Sequence, residues 1–262
     1  MTEIFSSPIE RKIFKLNLGK IESLTAYDEE FFISEVLDGQ DIRVGAGAKD
    51  GSYYLRCNFS FFADKLKKVT SEELDSRFVN DGKFEKQFPE MPEFERKLLY
   101  TCWMVSKIVQ NMLGDVANDD ARNNSFARYH GQTESGKNVC VKPLSECRGE
   151  SVCSEYALMS YHILKKLGVQ SAVVVGAFND NINKGIADRH TFLVLDNGKY
   201  VFDPTHTVGQ ELCWPPKVFA AESPLTAETL KDTSKNLDDP FGVKIVCTDL
   251  VTKDQKLYGS GA

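Results

Sequence analysis

The chain has 262 residues, a formal net charge of −6, 42% hydrophobic residues and 27% charged residues. That balance describes a globular chain with ample material for a core, and its acidic excess argues against a general binder of nucleic acid or anionic membrane. No apolar run approaches the roughly 18 residues that a membrane-spanning helix needs, so no membrane insertion is expected.

The cysteine count is seven. An odd number at irregular spacing fits neither a C-x-x-C motif nor a zinc site, and free thiols in a reducing compartment are the simplest reading. The opening Met1-Thr2-Glu3-Ile4-Phe5-Ser6-Ser7-Pro8 lacks a basic stretch followed by an apolar one, so no secretory signal is read and the chain is expected to be cytoplasmic as synthesised. No metal and no cofactor is expected, and the oligomeric state is left open.

Residues 1–90 read as a mixed, strand-rich extension suited to substrate recognition, and residues 91–262 as a catalytic domain. Tyr53 to Phe62 alternates apolar and polar positions, with Leu55, Cys57, Phe59 and Phe61 on one face. Gly45-Ala46-Gly47-Ala48-Lys49-Asp50-Gly51 is glycine-rich without phosphate-loop spacing and reads as a turn. Phe84 to Pro89 reads as a linker. Pro92 to Leu113 is expected to be a long helix with Pro92 as its first residue and an apolar stripe of Phe94, Leu98, Cys102, Val105, Val109 and Met112. The polar stretch from Asp115 to Gly136 reads as loop. Its Asn118-Asp119-Asp120 cluster lacks EF-hand spacing. Gln132, about twenty residues before the key cysteine, is a candidate oxyanion donor, with an ordinary loop amide as the plainer alternative.

Arg148-Gly149-Glu150-Ser151-Val152-Cys153 leads into a helix whose Tyr156, Met159, Ile163 and Leu167 repeat at helical spacing before Gly168. Ser151 is the expected N-cap, which would make Cys153 the second helical residue. A thiol at a helix N-terminus is a candidate nucleophile, because the positive end of the helix favours the thiolate. An apolar strand, Gln170 to Phe178, follows. Asn179 to Arg189 is long and polar and could serve as a lid.

His190 opens the next strand, and Asp203 closes the one after it. Asn197-Gly198 between them is a strong signal for a two-residue type I′ hairpin turn. That turn pairs Asp196 with Lys199, sets Phe192 opposite Asp203, and puts His190, Phe192, Val194, Val201, Asp203 and Thr205 on one face. His190 and Asp203 become diagonal neighbours with Cβ atoms roughly 7–8 Å apart, within reach of a carboxylate–imidazole hydrogen bond. This face is expected to look toward the N-terminus of the Cys153 helix, and Leu193, Leu195, Tyr200 and Phe202 form the opposite, core face. His206 is a weaker rival base on the other face. Taken singly, a helical Cys is ordinarily a small buried hydrophobe and Asp-Pro a turn; the register argues for the three together. Trp214 is a candidate for lining a substrate cleft, with plain packing as the alternative. A short helix near Thr226 to Lys231 and a strand from Val243 to Cys247 complete the chain.

Cys153, Tyr156-Ala157, Leu167-Gly168-Val169, His190 and Asp203-Pro204-Thr205 resemble the transglutaminase-like branch of the papain-like cysteine enzymes. The resemblance covers residues 148–205. Thr191-Phe192 stand where many members carry a small residue and Trp, and Val152 where Trp or a small residue often precedes the Cys. The resemblance implies an α+β fold with a nucleophile helix packed on an antiparallel sheet, and a triad of Cys153, His190 and Asp203. It also implies acyl transfer through a thioester on a protein or peptide substrate, with glutamine deamidation or transamidation first and proteolysis close behind. The Arg148-Gly149 approach is also similar to arylamine N-acetyltransferases, ranked second because their nucleophile lies nearer the N-terminus. A secreted effector acting on a host protein, and a non-enzymatic binding module on the same scaffold, are further alternatives; retention of all three residues counts against the module.

Overall fold

The computed structural model describes residues 32–47, 51–117, 128–132, 138–178, 188–205, 213–229 and 247–251. In chain order these form β1 (Phe32–Ile33), β2 (Asp41–Gly47), β3 (Gly51–Arg56), a 3-10 turn (Phe59–Phe62), α1 (Ala63–Leu66), α2 (Ser71–Asp81), α3 (Lys83–Gln87) and α4 (Glu93–Leu113). Then come β4 (His130–Gln132), β5 (Asn138–Pro143), α5 (Cys153–Lys166), β6 (Ser171–Phe178), β7 (Asp188–Leu195), β8 (Tyr200–Asp203), β9 (Lys217–Ala221) and β10 (Cys247–Asp249). The architecture is α+β. One sheet is antiparallel with order β1-β6-β7-β8-β9-β10, and a second is mixed with order β2-β3-β5-β4.

Local sequence accounts for the helix ends. The Thr70 hydroxyl accepts the Glu73 N–H at 3.2 Å and caps α2. Pro92 immediately precedes α4 and supplies its N-cap rather than its first turn. Leu98, Cys102, Val105, Val109 and Met112 are buried as the stripe predicts, but Phe94 is exposed. At the end of α5, Val169 N–H donates to Leu164 O and Gly168 N–H to Lys165 O, with Gly168 at φ +74°. That double bond is the Schellman arrangement, and it needs a residue at ease in the left-handed region.

α5 is the centre of the molecule. Tyr156, Leu158, Met159 and Ile163 have no exposure, and Ser154 and Glu155 are also buried. A helix buried nearly all round must be enclosed by several elements. The main core indeed joins α4 and α5 to Leu55 and Cys57 at the end of β3 and to Val173, Leu193, Leu195, Phe202 and Val218 from the six-stranded sheet. Ala172, Val174, Phe192, Val194 and Val201 form a second, smaller cluster.

Two expectations are corrected here. The strand read across Tyr53 to Phe62 stops at Arg56, and Phe59 to Phe62 forms a 3-10 turn with Phe61 exposed. The linker read at Phe84 to Pro89 is largely α3. Phe84 and Phe88 are buried at helical i, i+4 spacing, and both rings meet Trp214. Pairing also crosses residue 90 twice: β1 is antiparallel to β6, and β3 is parallel to β5. The residues on the two sides of that position therefore share sheets and a core. The C-terminal strand lies at Cys247–Asp249, and residues 243–246 are outside the described ones.

Candidate active site

Cys153 is the first residue of α5, and Val152, in extended conformation at φ −126° and ψ −165°, precedes it as N-cap. Valine has no acceptor, so the capping is done from the other side. Glu155 turns back, and its Oε2 accepts the Val152 N–H at 3.0 Å. Its Oε1 accepts the Tyr53 hydroxyl at 2.9 Å, tying the start of α5 to β3. Ser151, expected to cap the helix, instead donates its buried hydroxyl to Cys147 O at 2.6 Å. Cys153 thus stands at the first helical position, not the second, where unsatisfied backbone N–H groups concentrate.

The Arg148-Gly149 approach has a structural cause. Arg148 Nη1 donates to Asn111 O at 2.6 Å and to Met112 O at 3.0 Å, and Gly149 N–H donates to Leu113 O at 2.7 Å. Tyr156 of α5 donates its hydroxyl to Gly114 O. The carbonyls that α4 leaves unpaired at its C-terminus are therefore satisfied by the segment leading into α5, and the cation sits at the negative end of the helix. A Cβ at Gly114, whose φ is +81°, would lie 3.4 Å from Gly149 N, so the two glycines permit a close backbone approach. Lys142, fully buried, pairs with Glu150 Oε2 at 2.7 Å, and Arg128 pairs with the other oxygen. The nucleophile candidate is held by a clamped frame.

The hairpin register is as the turn predicts. Leu195 pairs with Tyr200, Val194 with Val201 and Leu193 with Phe202. Lys199 N–H donates to Asp196 O at 3.2 Å around Asn197 at φ +54° and Gly198 at φ +83°. Asp196 is also left-handed, at φ +47°. Gly198 is required twice over: a Cβ there would lie 2.2 Å from Leu225 O.

The orientation of the hairpin differs from expectation. Leu193, Leu195 and Phe202 join the core that contains α5, and Thr191 Oγ1 lies 3.3 Å from Ser154 Oγ. Phe192, Val194 and Val201, expected on the face toward the start of the nucleophile helix, lie in the separate cluster. α5 thus covers the face of Thr191, not that of Phe192. Side chains alternate along a strand, so the Phe192 face, to which the sequence assigns His190, is not the face that α5 covers.

His190 lies in β7, its backbone paired with Gly176, and its side chain is outside the described residues. Asp203 ends β8 opposite Lys217, half-buried, with Oδ1 accepting the Thr205 N–H at 2.9 Å. Cys153 is partly accessible, whereas Cys57, Cys102, Cys140, Cys147 and Cys213 are all buried. Burial pushes the Cys57, Cys102 and Cys147 thiols well up and the Cys213 thiol to about 11.

Gln132 lies in β4 opposite Asn138, a strand rather than the expected loop, with its side chain outside the described residues. Trp214 is half-buried in an aromatic group, with ring centroids 5.4 Å from Phe84, 5.7 Å from Trp103 and 6.0 Å from Phe88. His206, Asn118 to Asp120 and residues 179–187 of the expected lid lie outside the described residues. Among the described residues no helix is long and apolar enough to cross a membrane, and no three His, Cys, Asp or Glu side chains gather as a metal site.

Sequence reasoning missed Tyr53, Ser154, Glu155 and Thr191. Glu155 follows Val152 by three, the spacing of a capping box, but the Ser or Thr that would flag one is missing at Val152.

The chain matches no protein-family profile and no curated protein sequence. Among solved structures, one described as the crystal structure of a TGase aligns over 58% of this chain and 39% of that chain, at 14% identity and a TM-score of 0.26. The chain thus spans well under half of that protein, and a likeness this distant carries no argument about activity.

Proposed function

We propose that the chain is a cysteine-dependent acyl-transfer enzyme of transglutaminase-like kind, acting on a glutamine carboxamide of a protein or peptide. The observation that carries this reading is Cys153 itself: a partly accessible thiol at the first position of a buried, clamped helix, where Cys57, Cys102, Cys140, Cys147 and Cys213 are buried. Reactive thiols sit in accessible sites that favour the thiolate, and structural ones do not.

In this reading the Cys153 thiolate attacks the carboxamide carbon, and His190 protonates the leaving ammonia. Asp203 holds the His190 ring in the productive tautomer. Water or a primary amine then attacks the thioester, releasing Glu or a new amide and returning the thiolate. Because α5 covers the Thr191 face, this reading requires the His190 ring to meet Cys153 around the first residues of β7. The cross-strand neighbour of His190 is Gly176, which has no side chain to crowd the ring. The Cys153 backbone N–H is the proposed main-chain donor to the oxyanion, and Gln132 the proposed side-chain donor.

The test is mass spectrometry of a glutamine-rich protein incubated with the chain and with Cys153→Ala. A gain of about one dalton on Gln, or a cross-link to Lys, in the wild-type reaction alone supports the reading. Chain cleavage that depends on Cys153 would instead make the enzyme a protease. Equal modification by both proteins would overturn the role of Cys153.

A further inference from the structure

The first turn of α5 and the start of β7 touch through a buried pair of hydroxyls that none of the steps above uses. Ser154 Oγ lies 3.3 Å from Thr191 Oγ1 and 4.0 Å from Cys153 Sγ. Ser154 and Thr191 are 1% and 2% exposed. A serine inside a helix commonly donates back to the carbonyl four residues earlier. Among the described residues Ser154 makes no such bond, and its hydroxyl meets only Cys153 Sγ and Thr191 Oγ1. Burying two hydroxyls is costly unless each is satisfied; Ser154 and Thr191 satisfy one another, and the same Ser154 hydroxyl stands beside the Cys153 sulfur.

We propose that this hydroxyl relay stabilises the Cys153 thiolate, with Ser154 as the direct donor and Thr191 as the positioning residue behind it. The inference rests on Cys153 being the nucleophile. The polarity follows from valence. A thiolate can only accept, so Ser154 Oγ–H must point at Sγ, and its freed lone pair accepts the Thr191 Oγ1–H. When the sulfur carries a proton the relay can run the other way, with S–H donating to Ser154 and Ser154 to Thr191. Ionisation therefore reverses two hydroxyls. Hydrogen bonds to a charged acceptor are shorter and stronger than neutral ones, so the S···O contact tightens in the thiolate form. The pair also joins the residue after Cys153 to the residue after His190, which sets the distance the imidazole must span.

The experiment measures the rate of Cys153 alkylation by iodoacetamide from pH 6 to pH 10, read by peptide mapping, in the full chain. Variants are Ser154→Ala, Thr191→Val and Thr191→Ser, each checked for its thermal midpoint. Glu155 with its partner Tyr53, Glu150 with its partner Lys142, and Asp115 and Cys213 near Tyr156 stand around the first turn of α5, and His190 lies on β7; all are unchanged in these variants, so the differences report the hydroxyls. Ser154→Ala is expected to slow alkylation at pH 7 by roughly three- to tenfold, and Thr191→Val by less, with both converging on wild type toward pH 10, where an accessible thiol is ionised with or without the hydroxyls. Thr191→Ser, which keeps the hydroxyl, is expected to follow the wild-type profile. Purely structural damage would shift the rate at all pH values alike. If Ser154→Ala follows the wild-type profile while Cys153 still labels fastest, the relay is wrong and the nucleophile assignment stands. If Cys153 in the wild type labels no faster than a buried thiol, the nucleophile assignment fails and takes the relay with it.

Discussion

Replacing Tyr53 with Phe removes one oxygen from the junction between β3 and the nucleophile helix. Tyr53 is 2% exposed and Glu155 1% exposed, and the hydroxyl donates to Glu155 Oε1 at 2.9 Å. Phe fills the same space, so no cavity is created, but the buried carboxyl loses a donor. A hydrogen bond to such a group contributes about 1.5–3 kcal/mol, which for a chain of this size lowers Tm by roughly 3–12 °C. The other carboxyl oxygen caps Val152, so the loss should loosen the first turn of α5 and lower activity as well as stability.

The same residue predicts a pH signature. Burial, and then the Glu155 charge, raise the Tyr53 hydroxyl far above its ordinary range. In the unfolded chain a tyrosine ionises near about 10. Below that pH both states hold the proton and the stabilisation is complete. Above it the unfolded chain releases the proton and the folded one does not, so stability falls by up to about 1.4 kcal/mol per pH unit for this group. Urea unfolding of both proteins at pH 7.5 and pH 10.5 is the assay. Wild type should be the more stable at pH 7.5, and the gap should narrow at pH 10.5. A variant within about 0.5 kcal/mol of wild type at pH 7.5, with an unchanged gap at high pH, would refute the account of this junction.

Gly198→Ala should destabilise by more than about 2 kcal/mol, since it combines positive φ with a backbone clash at Leu225 O; a thermal melt within a degree of wild type would contradict that. Brief alkylation at neutral pH should label Cys153 before Cys57, Cys102, Cys140, Cys147 or Cys213, which are buried; peptide mapping reads the order. Asp203→Asn should cost at least about a hundredfold in activity while the fold persists. Circular dichroism must accompany the assay, because Asp203 also accepts the Thr205 N–H.

What the sequence disclosed and what it hid follow from the range of the interactions. The Asn197-Gly198 register, the two long helices and the start of α5 within one residue were legible, because turn chemistry and helical periodicity are written in neighbouring residues. The linker reading of Phe84 to Pro89 failed because the charged residues between two aromatics masked their i, i+4 spacing, and the partners Trp103 and Trp214 lie far along the chain. The parallel pairing of β3 with β5 spans over eighty residues, and no local pattern announces it. At the site, alternation predicts one face for His190 and Asp203 but cannot say which strand face α5 covers. That choice was made by Leu193, Leu195 and Phe202, which pack into the larger core, and by the contact between Thr191 and Ser154.

The most direct test of the central claim is acid-quenched intact mass measurement of the chain mixed with a glutamine peptide, run beside Cys153→Ala and His190→Ala. The account predicts a covalent adduct on Cys153 equal to the peptide less ammonia, forming in wild type, much slower in His190→Ala and never in Cys153→Ala. Ammonia release by Cys153→Ala at the wild-type rate would contradict it.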